Sequence, residues 1–270
     1  MEIKDLPNWQ AFEHELDELR AQLKYLNTSL LFRGQADSDW PLSTTLERAG
    51  CDGLQFDTYY RLVTSAVRPA VETFTGVVWD IPEYDTNLES AFLNDPELLS
   101  FRRFPGVPLY RYMVYLRHHG LPSPLLDWTR SPHVSAFFAF RDQTTMSQKR
   151  AIYAYCEMPM VHKGGPVGEA TIVPIGPYVR SHPRHFRQQS DYTICGNFDQ
   201  LLGWCFHPHG SVFGNRPGQD FLWKFTLPST ERIPVLRMLN DYNLNAFSLF
   251  DSEESLLETA WFREWTLKRP

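Results

Sequence analysis

Between residues 8 and 27 apolar side chains recur at spacings of three and four: Phe12, Leu16, Leu19, Leu23 and Leu26. That period predicts an amphipathic helix laid over a core. Asn8 can cap it, and Glu13, Glu15, Asp17 and Glu18 occupy early turns, where the helix dipole favours acids. The pattern then changes to short runs. Leu30, Leu31 and Phe32 form a strand over 29–34 that Gly34 ends, followed by a polar turn at 36–39. A second helix is predicted over 57–74. The mixed stretch 77–95, punctuated by Pro82 and closed by Pro96, reads as an insertion or a loop with a short helix. Pro105 and Pro108 precede a helix over 110–119 that Gly120 closes from the left-handed capping position.

Residues 121–124, Leu-Pro-Ser-Pro, are a rigid extended link, because each proline pushes its predecessor out of helical space. A short buried strand at 125–128 follows. Ser131 and Pro132 then open a helix over 133–141, serine as cap and proline as first helical residue. Strands are predicted at 151–155, 170–175, 192–195 and 221–227. In the last, Phe221, Trp223, Phe225 and Leu227 share one face. Helices within 229–242 and over 253–265 complete the series. There is no internal repeat and no linker. The expectation is one α+β domain over 1–270, with N-terminal helices and a central mixed or antiparallel sheet.

Composition narrows this picture. With 43% hydrophobic residues and 14% aromatics, the chain can fill a core. A net charge of -6 argues against broad binding to phosphate backbones, although 180–187, with Arg180, Arg184, His185 and Arg187, is a candidate basic patch. Cys51, Cys156, Cys195 and Cys205 form no CxxC pair, so no zinc ribbon and no structural metal are expected, and free thiols suit a reducing, cytoplasmic setting. The polar first ten residues lack a signal-peptide core, and no apolar run reaches the ~20 residues of a membrane span.

Three clusters carry candidate chemistry. Arg33 stands beside Gly34 and Gln35 at a strand end, where guanidinium can bind phosphate or carboxylate and glycine admits a ligand close to the backbone. A structural salt bridge, with Asp127 as one partner, is the equal alternative. In the second cluster, adjacent helical positions put His118 and His119 on different faces, so one faces a cleft and the other packs. Asp127, between Leu126 and Trp128, needs a partner; it orients a histidine or, the structural role, caps backbone donors. Gln188, Gln189 and Tyr192 form the third cluster, which on its own reads as a solvated loop. His207 and His209 lack a third metal ligand and read as surface.

Together these clusters resemble the FRG domain family. The resemblance runs through Leu31-Phe32-Arg33-Gly34-Gln35 with Trp40, Leu42 and Arg48, then His118-His119-Gly120-Leu121-Pro122. It continues through Leu125-Leu126-Asp127-Trp128-Thr129, Ser131-Pro132 and Ala136-Phe137-Phe138-Ala139. It is densest over 28–142. Arg184, Gln188 and Tyr192-Thr193 are similar to a later family element. Arg117 stands where the family often has glutamine, and Ser123-Pro124 where it has threonine-arginine, so the resemblance implies Arg117 as the substitute for that arginine's anion contact. Phe32-Arg33-Gly34 and the 128–139 segment also resemble, more distantly, arginine-class ADP-ribosyltransferases. That resemblance implies NAD as cofactor: Arg33, with Gly34 and Gln35, on the diphosphate; His118 or His119 with Thr129 and Ser131 at the nicotinamide ribose; and Gln188, near Tyr192, orienting the attacked ribose. Glutamine stands where the transferases carry glutamate, which leaves Glu169 or Asp191 as the alternative acid. The implied partner is a small-molecule nucleotide, with an unspecified protein or nucleic-acid acceptor and no membrane, in a toxin or phage-defence setting. The rival reading is a non-catalytic nucleotide or nucleic-acid binding module whose aromatics stack bases.

Overall fold

A computed structural model describes residues 1–25, 28–88, 90, 108–157, 169–177, 183–199, 201, 203–213 and 219–268. The first predicted helix is α1, Trp9–Leu23, capped by Asn8, whose Oδ1 accepts from the Ala11 amide at 2.9 Å. Phe12, Leu16 and Leu19 are buried, as their spacing requires. Leu26, most of the expected 77–95 insertion's C-terminal end, Pro105 and Arg180 lie outside the described residues.

Among the described residues, eight strands form one mixed sheet. They are β1 (Glu2–Asp5), β2 (Leu31–Gln35), β3 (Leu126–Thr129), β4 (Lys149–Glu157), β5 (Thr171–Pro174), β6 (Ser190–Asp199), β7 (Gly203–Phe206) and β8 (Asp220–Pro228). The order is β1-β8-β4-β2-β3-β6-β5, with β7 also on β6. β1 runs parallel to β8, Glu2 opposite Trp223, and the other pairings are antiparallel. The fold is therefore α+β with a mixed, mainly antiparallel sheet. Side chains alternate between its faces. Phe32, Ile152, Ala154 and Phe225 pack beneath α1, α6 (Pro132–Arg141) and α8 (Arg232–Asp241). Leu31, Ala151, Tyr153 and Tyr155 pack on the opposite side with Trp128.

The predicted helix at 57–74 is a continuous helical run in three parts. α3 (Phe56–Arg61) passes through a π-helical stretch, Leu62–Val67, into α4 (Arg68–Thr75). Pro69 lacks an amide and crowds the carbonyl four residues back, which accounts for the widened turn before it. α5 spans Pro108–His118 and ends in a Schellman turn. Leu121 N donates to Leu116 O and Gly120 N to Arg117 O, with Gly120 at φ 88°.

Several expectations need correction. Gly34 does not end β2; it pairs with Ile152, and the strand runs on to Gln35. The polar N-terminus supplies β1. Strand β7 and the helix α9 (Ala246–Phe250) have no counterpart in the sequence reading. The remaining helices are α2 (Thr45–Arg48), α7 (Pro183–Arg187) and α10 (Glu253–Trp261), the last leading into a π turn, Phe262–Thr266. No helix of the described residues is long and apolar enough to cross a membrane.

Candidate functional site

A cleft of about 1220 Å³ opens where β2, β3 and the start of β6 meet the end of α5. Arg33, Gly34, Gln35, His118, Thr129, Gln188 and Tyr192 all line it, although they come from segments far apart in sequence. His119 and Ser131 do not line it. His119 packs on the Tyr115 ring, 4.4 Å between centroids. Ser131 caps α6, its Oγ accepting from the Val134 amide.

Arg33 is 14% exposed. Its Nη1 donates to the Asp127 backbone carbonyl at 2.8 Å, and its Nε is buried with no partner. The Asp127 carboxylate lies 4.0 Å from Nη1 but belongs to Arg117, which grips it with a fork of Nε at 2.9 Å and Nη2. Burial, with Arg117 and Arg48 nearby, outweighs the pull of Asp127 and lowers the Arg33 guanidinium to about 10. A cation in this state has lost water and gained only a distant counterion that it shares with Arg117. Two expectations change here: the Asp127 carboxylate is gripped by Arg117 rather than capping backbone donors, and Arg117 is not a substitute anion contact, because its fork is committed to Asp127.

The Arg117–Asp127 pair makes its own test. Burial opposes both charges, but the pairing overrides it, pushing Arg117 up and holding Asp127 below its usual value. A carboxyl depressed on folding contributes stability above its unfolded value near ~4 and loses it as pH falls through the folded value. Arg117→Met is expected to cost ~2–4 kcal/mol at pH 7, less than a sealed pair because Asp127 is 36% open. An unpaired Asp127 then favours its neutral form, so the gap between variant and parent melts should narrow as pH drops towards 4. A gap independent of pH would show that the loss is packing alone.

His118 is held by a chain of hydrogen bonds. Its Nε2 lies 3.0 Å from the Tyr192 hydroxyl, which lies 3.2 Å from His185 Nδ1, and His185 Nε2 lies 3.1 Å from the Pro177 carbonyl. A carbonyl only accepts, so His185 carries its proton on Nε2. Burial lowers the His185 pKa and keeps the ring neutral, so Nδ1 accepts from Tyr192. Tyr192 then has only a lone pair for His118, which must donate from Nε2. The chain fixes His118 as the Nε2–H tautomer, with Nδ1 as its basic nitrogen.

Residues 28–148 match the family model of the FRG domain. The chain carries an FRG domain. No curated protein and no solved structure matches the chain. The FRG domain supplies Arg33, Arg48, Arg117, His118 and Asp127, whereas Gln188 and Tyr192 close the cleft from beyond it. Its Gly34 has a packing role. A Cβ there would stand 1.9 Å from the Ser135 carbonyl oxygen, so the glycine admits the backbone of α6 rather than a ligand.

Other candidate groups are occupied. Thr129 Oγ1 donates to the Gln188 carbonyl at 2.6 Å and accepts from the Ser131 amide. The Gln188 side-chain nitrogen donates to the Leu249 carbonyl at 3.3 Å. Gln35 Nε2 donates to the Pro41 carbonyl. Asp191 is buried, pairs with Arg130 at 3.0 Å and lies off the cleft, where burial raises its carboxyl; Glu169 is exposed and also off it. The expected basic patch disperses: Arg184 Nε donates to the Phe250 carbonyl, His185 is buried and Arg187 pairs with Asp251. His209 is fully buried rather than superficial, bonded to Thr193 at 2.9 Å and 3.6 Å from Glu47. Among the described residues no group of three or more His, Cys, Asp or Glu could hold a metal, and the four cysteines form no disulfide.

Sequence reasoning missed the far wall, formed by Phe138, Arg141, Phe250 and Glu258. Arg141 stands three residues after Phe138 on α6, the spacing of neighbours on a helix face, and that was the available signal. Phe250 and Glu258 carried none.

Proposed function

We propose that the cleft binds a phosphate-bearing nucleotide, NAD in the first instance, and that ADP-ribosyl chemistry takes place over it. The observation that carries this reading is Arg33: a desolvated guanidinium in a cleft, its natural carboxylate already taken by Arg117. An anionic ligand there replaces the lost hydration and supplies a closer counterion than shared Asp127. The diphosphate sits on Arg33. Cleavage breaks the C1′–N bond, and nicotinamide leaves neutral with the electron pair, so no acid is required at the leaving group. The bound diphosphate offsets the arginines and faces the sugar cation as it forms. An attacking hydroxyl gives its proton to His118.

A second reading, a nucleotide-binding module without turnover, is favoured by one observation. The carboxylates of Asp127 and Glu258 on the cleft wall are each gripped by an arginine, and position 188 is glutamine. Four cysteines without CxxC spacing suit a reducing, cytoplasmic compartment in either case. Incubation with NAD labelled in the nicotinamide ring separates the readings. Release of free nicotinamide, lost in His118→Ala, supports transfer or hydrolysis. Saturable NAD binding with no release supports the module, and absence of binding to NAD or ADP-ribose removes both.

A further inference from the structure

The cleft is more positive than the chain that builds it. The protein carries a net charge of -6, yet at the Arg33 end three guanidiniums, Arg33, Arg48 and Arg117, face one carboxylate, Asp127. Arg117 takes that carboxylate. Arg33 and Arg48 are then held in the same manner, each by a single nitrogen on a backbone carbonyl: Arg33 Nη1 on Asp127 O at 2.8 Å, Arg48 Nη1 on Ser43 O at 2.8 Å. A carbonyl aims a guanidinium without neutralising it. Glu47, the neighbour of Arg48, attracts it without pairing with it, because the carboxylate is turned to buried His209. The two anchors are independent, one on β3 and one on the turn that leads into α2. At the far wall, by contrast, Arg141 is matched by Glu258 through two hydrogen bonds of 2.8 and 2.6 Å, beside the Phe138 and Phe250 rings.

We propose that Arg48 is the second arm of a diphosphate clamp with Arg33, so that the cleft selects ligands with two linked phosphates over ligands with one. The inference rests on the anion-binding reading of Arg33 but not on NAD. A monophosphate carries comparable charge at one phosphorus, whereas two separately anchored forks call for two charged centres. Arg48 is exposed where Arg33 is buried; partial burial and neighbouring Arg117 still lower its guanidinium against the pull of Asp127 and Glu47. The asymmetry also orients the ligand, with its diphosphate at β2 and its apolar end towards Phe138 and Phe250.

Titration calorimetry at fixed ionic strength with NAD, ADP-ribose, AMP and inorganic pyrophosphate tests the clamp. The parent protein should prefer ADP-ribose to AMP. Arg48→Met should weaken ADP-ribose and pyrophosphate by roughly ten- to a hundredfold and AMP by less than about threefold. Arg48→Lys should restore only part of the loss, because a point charge cannot reproduce the fork. Equal weakening of AMP and ADP-ribose, or undiminished ADP-ribose affinity in a folded Arg48→Met protein, overturns the proposal. Should Arg48→Met melt early, Arg48→Lys decides, and full ADP-ribose affinity there overturns it. Arg48-dependent pyrophosphate binding without NAD binding keeps the clamp and removes NAD. NAD binding indifferent to Arg48 removes the clamp and keeps NAD. No binding of any of the four removes both.

Discussion

Arg33→Ala is expected to fold normally and to lose nucleotide binding by at least a hundredfold. The loss follows from charge-assisted hydrogen bonds, worth ~1.5–3 kcal/mol each, made in a site where water cannot substitute. The effect on folding is small because Arg33 gives the fold so little. Its side chain makes one hydrogen bond to a carbonyl, its Nε is unpaired, and burial drags the guanidinium down to about 10. A base whose pKa falls on folding costs stability wherever it stays charged and stops doing so only as pH climbs past the folded value, here about 10. Removing the charge relieves that cost and offsets the lost hydrogen bond, so the melting temperature should be unchanged or slightly raised. Arg33→Lys should rescue binding poorly. Parallel melts and NAD titrations check this. A large drop in melting temperature would make Arg33 a structural ion-pair residue, and retained affinity in a folded variant would end the diphosphate assignment.

Gly34→Ala, one residue along, is expected to fail in the opposite way. The new Cβ would meet the Ser135 carbonyl oxygen at 1.9 Å and the Ala139 amide nitrogen at 2.7 Å. Both are backbone atoms of α6, so no side chain can rotate aside and the helix must lift off β2. That exceeds the ~1–3 kcal/mol of ordinary overpacking. A loss of ~3 kcal/mol or more lowers the melting temperature by roughly 6–12 °C, or leaves no folded protein to measure. Gly210→Ala, where a Cβ meets nothing within 4 Å, is the control and should barely change the melt. A Gly34→Ala protein that melts like its parent but binds nucleotide poorly would return the glycine to a ligand-admitting role.

These two neighbours also show what the sequence could disclose. Periodicity located α1 because it buries a stripe of regular spacing, whereas α5 was marked by its flanking prolines and Gly120, and α6, buried on most sides, by its serine-proline cap. β1 was invisible because it is an edge strand exposed along nearly its whole length, so its Glu-Ile-Lys-Asp sequence carries no buried face to betray it. The need for a partner at Asp127 was legible from its apolar neighbours, but its identity was not. Arg33 and Arg117 are equally plausible on paper, and only the strand–helix geometry assigns the carboxylate to Arg117. Gly34 announces a close approach without saying what approaches. His209 illustrates the converse: a histidine in a Pro-rich polar stretch, carried inside by Thr193 and Glu47, which lie far from it in sequence.

The order of the sheet has a consequence in time. β8, Asp220–Pro228, lies between β1 and β4, so the edge formed by residues 2–5 has nothing to pair with until residues 220–228 exist. At ~5–20 residues per second, a ribosome needs roughly 4–14 s to travel from β4 to the end of β8. Throughout that interval β4 presents a row of unpaired amides flanked by Ile152, Tyr153 and Tyr155, side chains that end up buried. The nascent chain therefore carries an open, sticky edge on β4 until β8 emerges to close it.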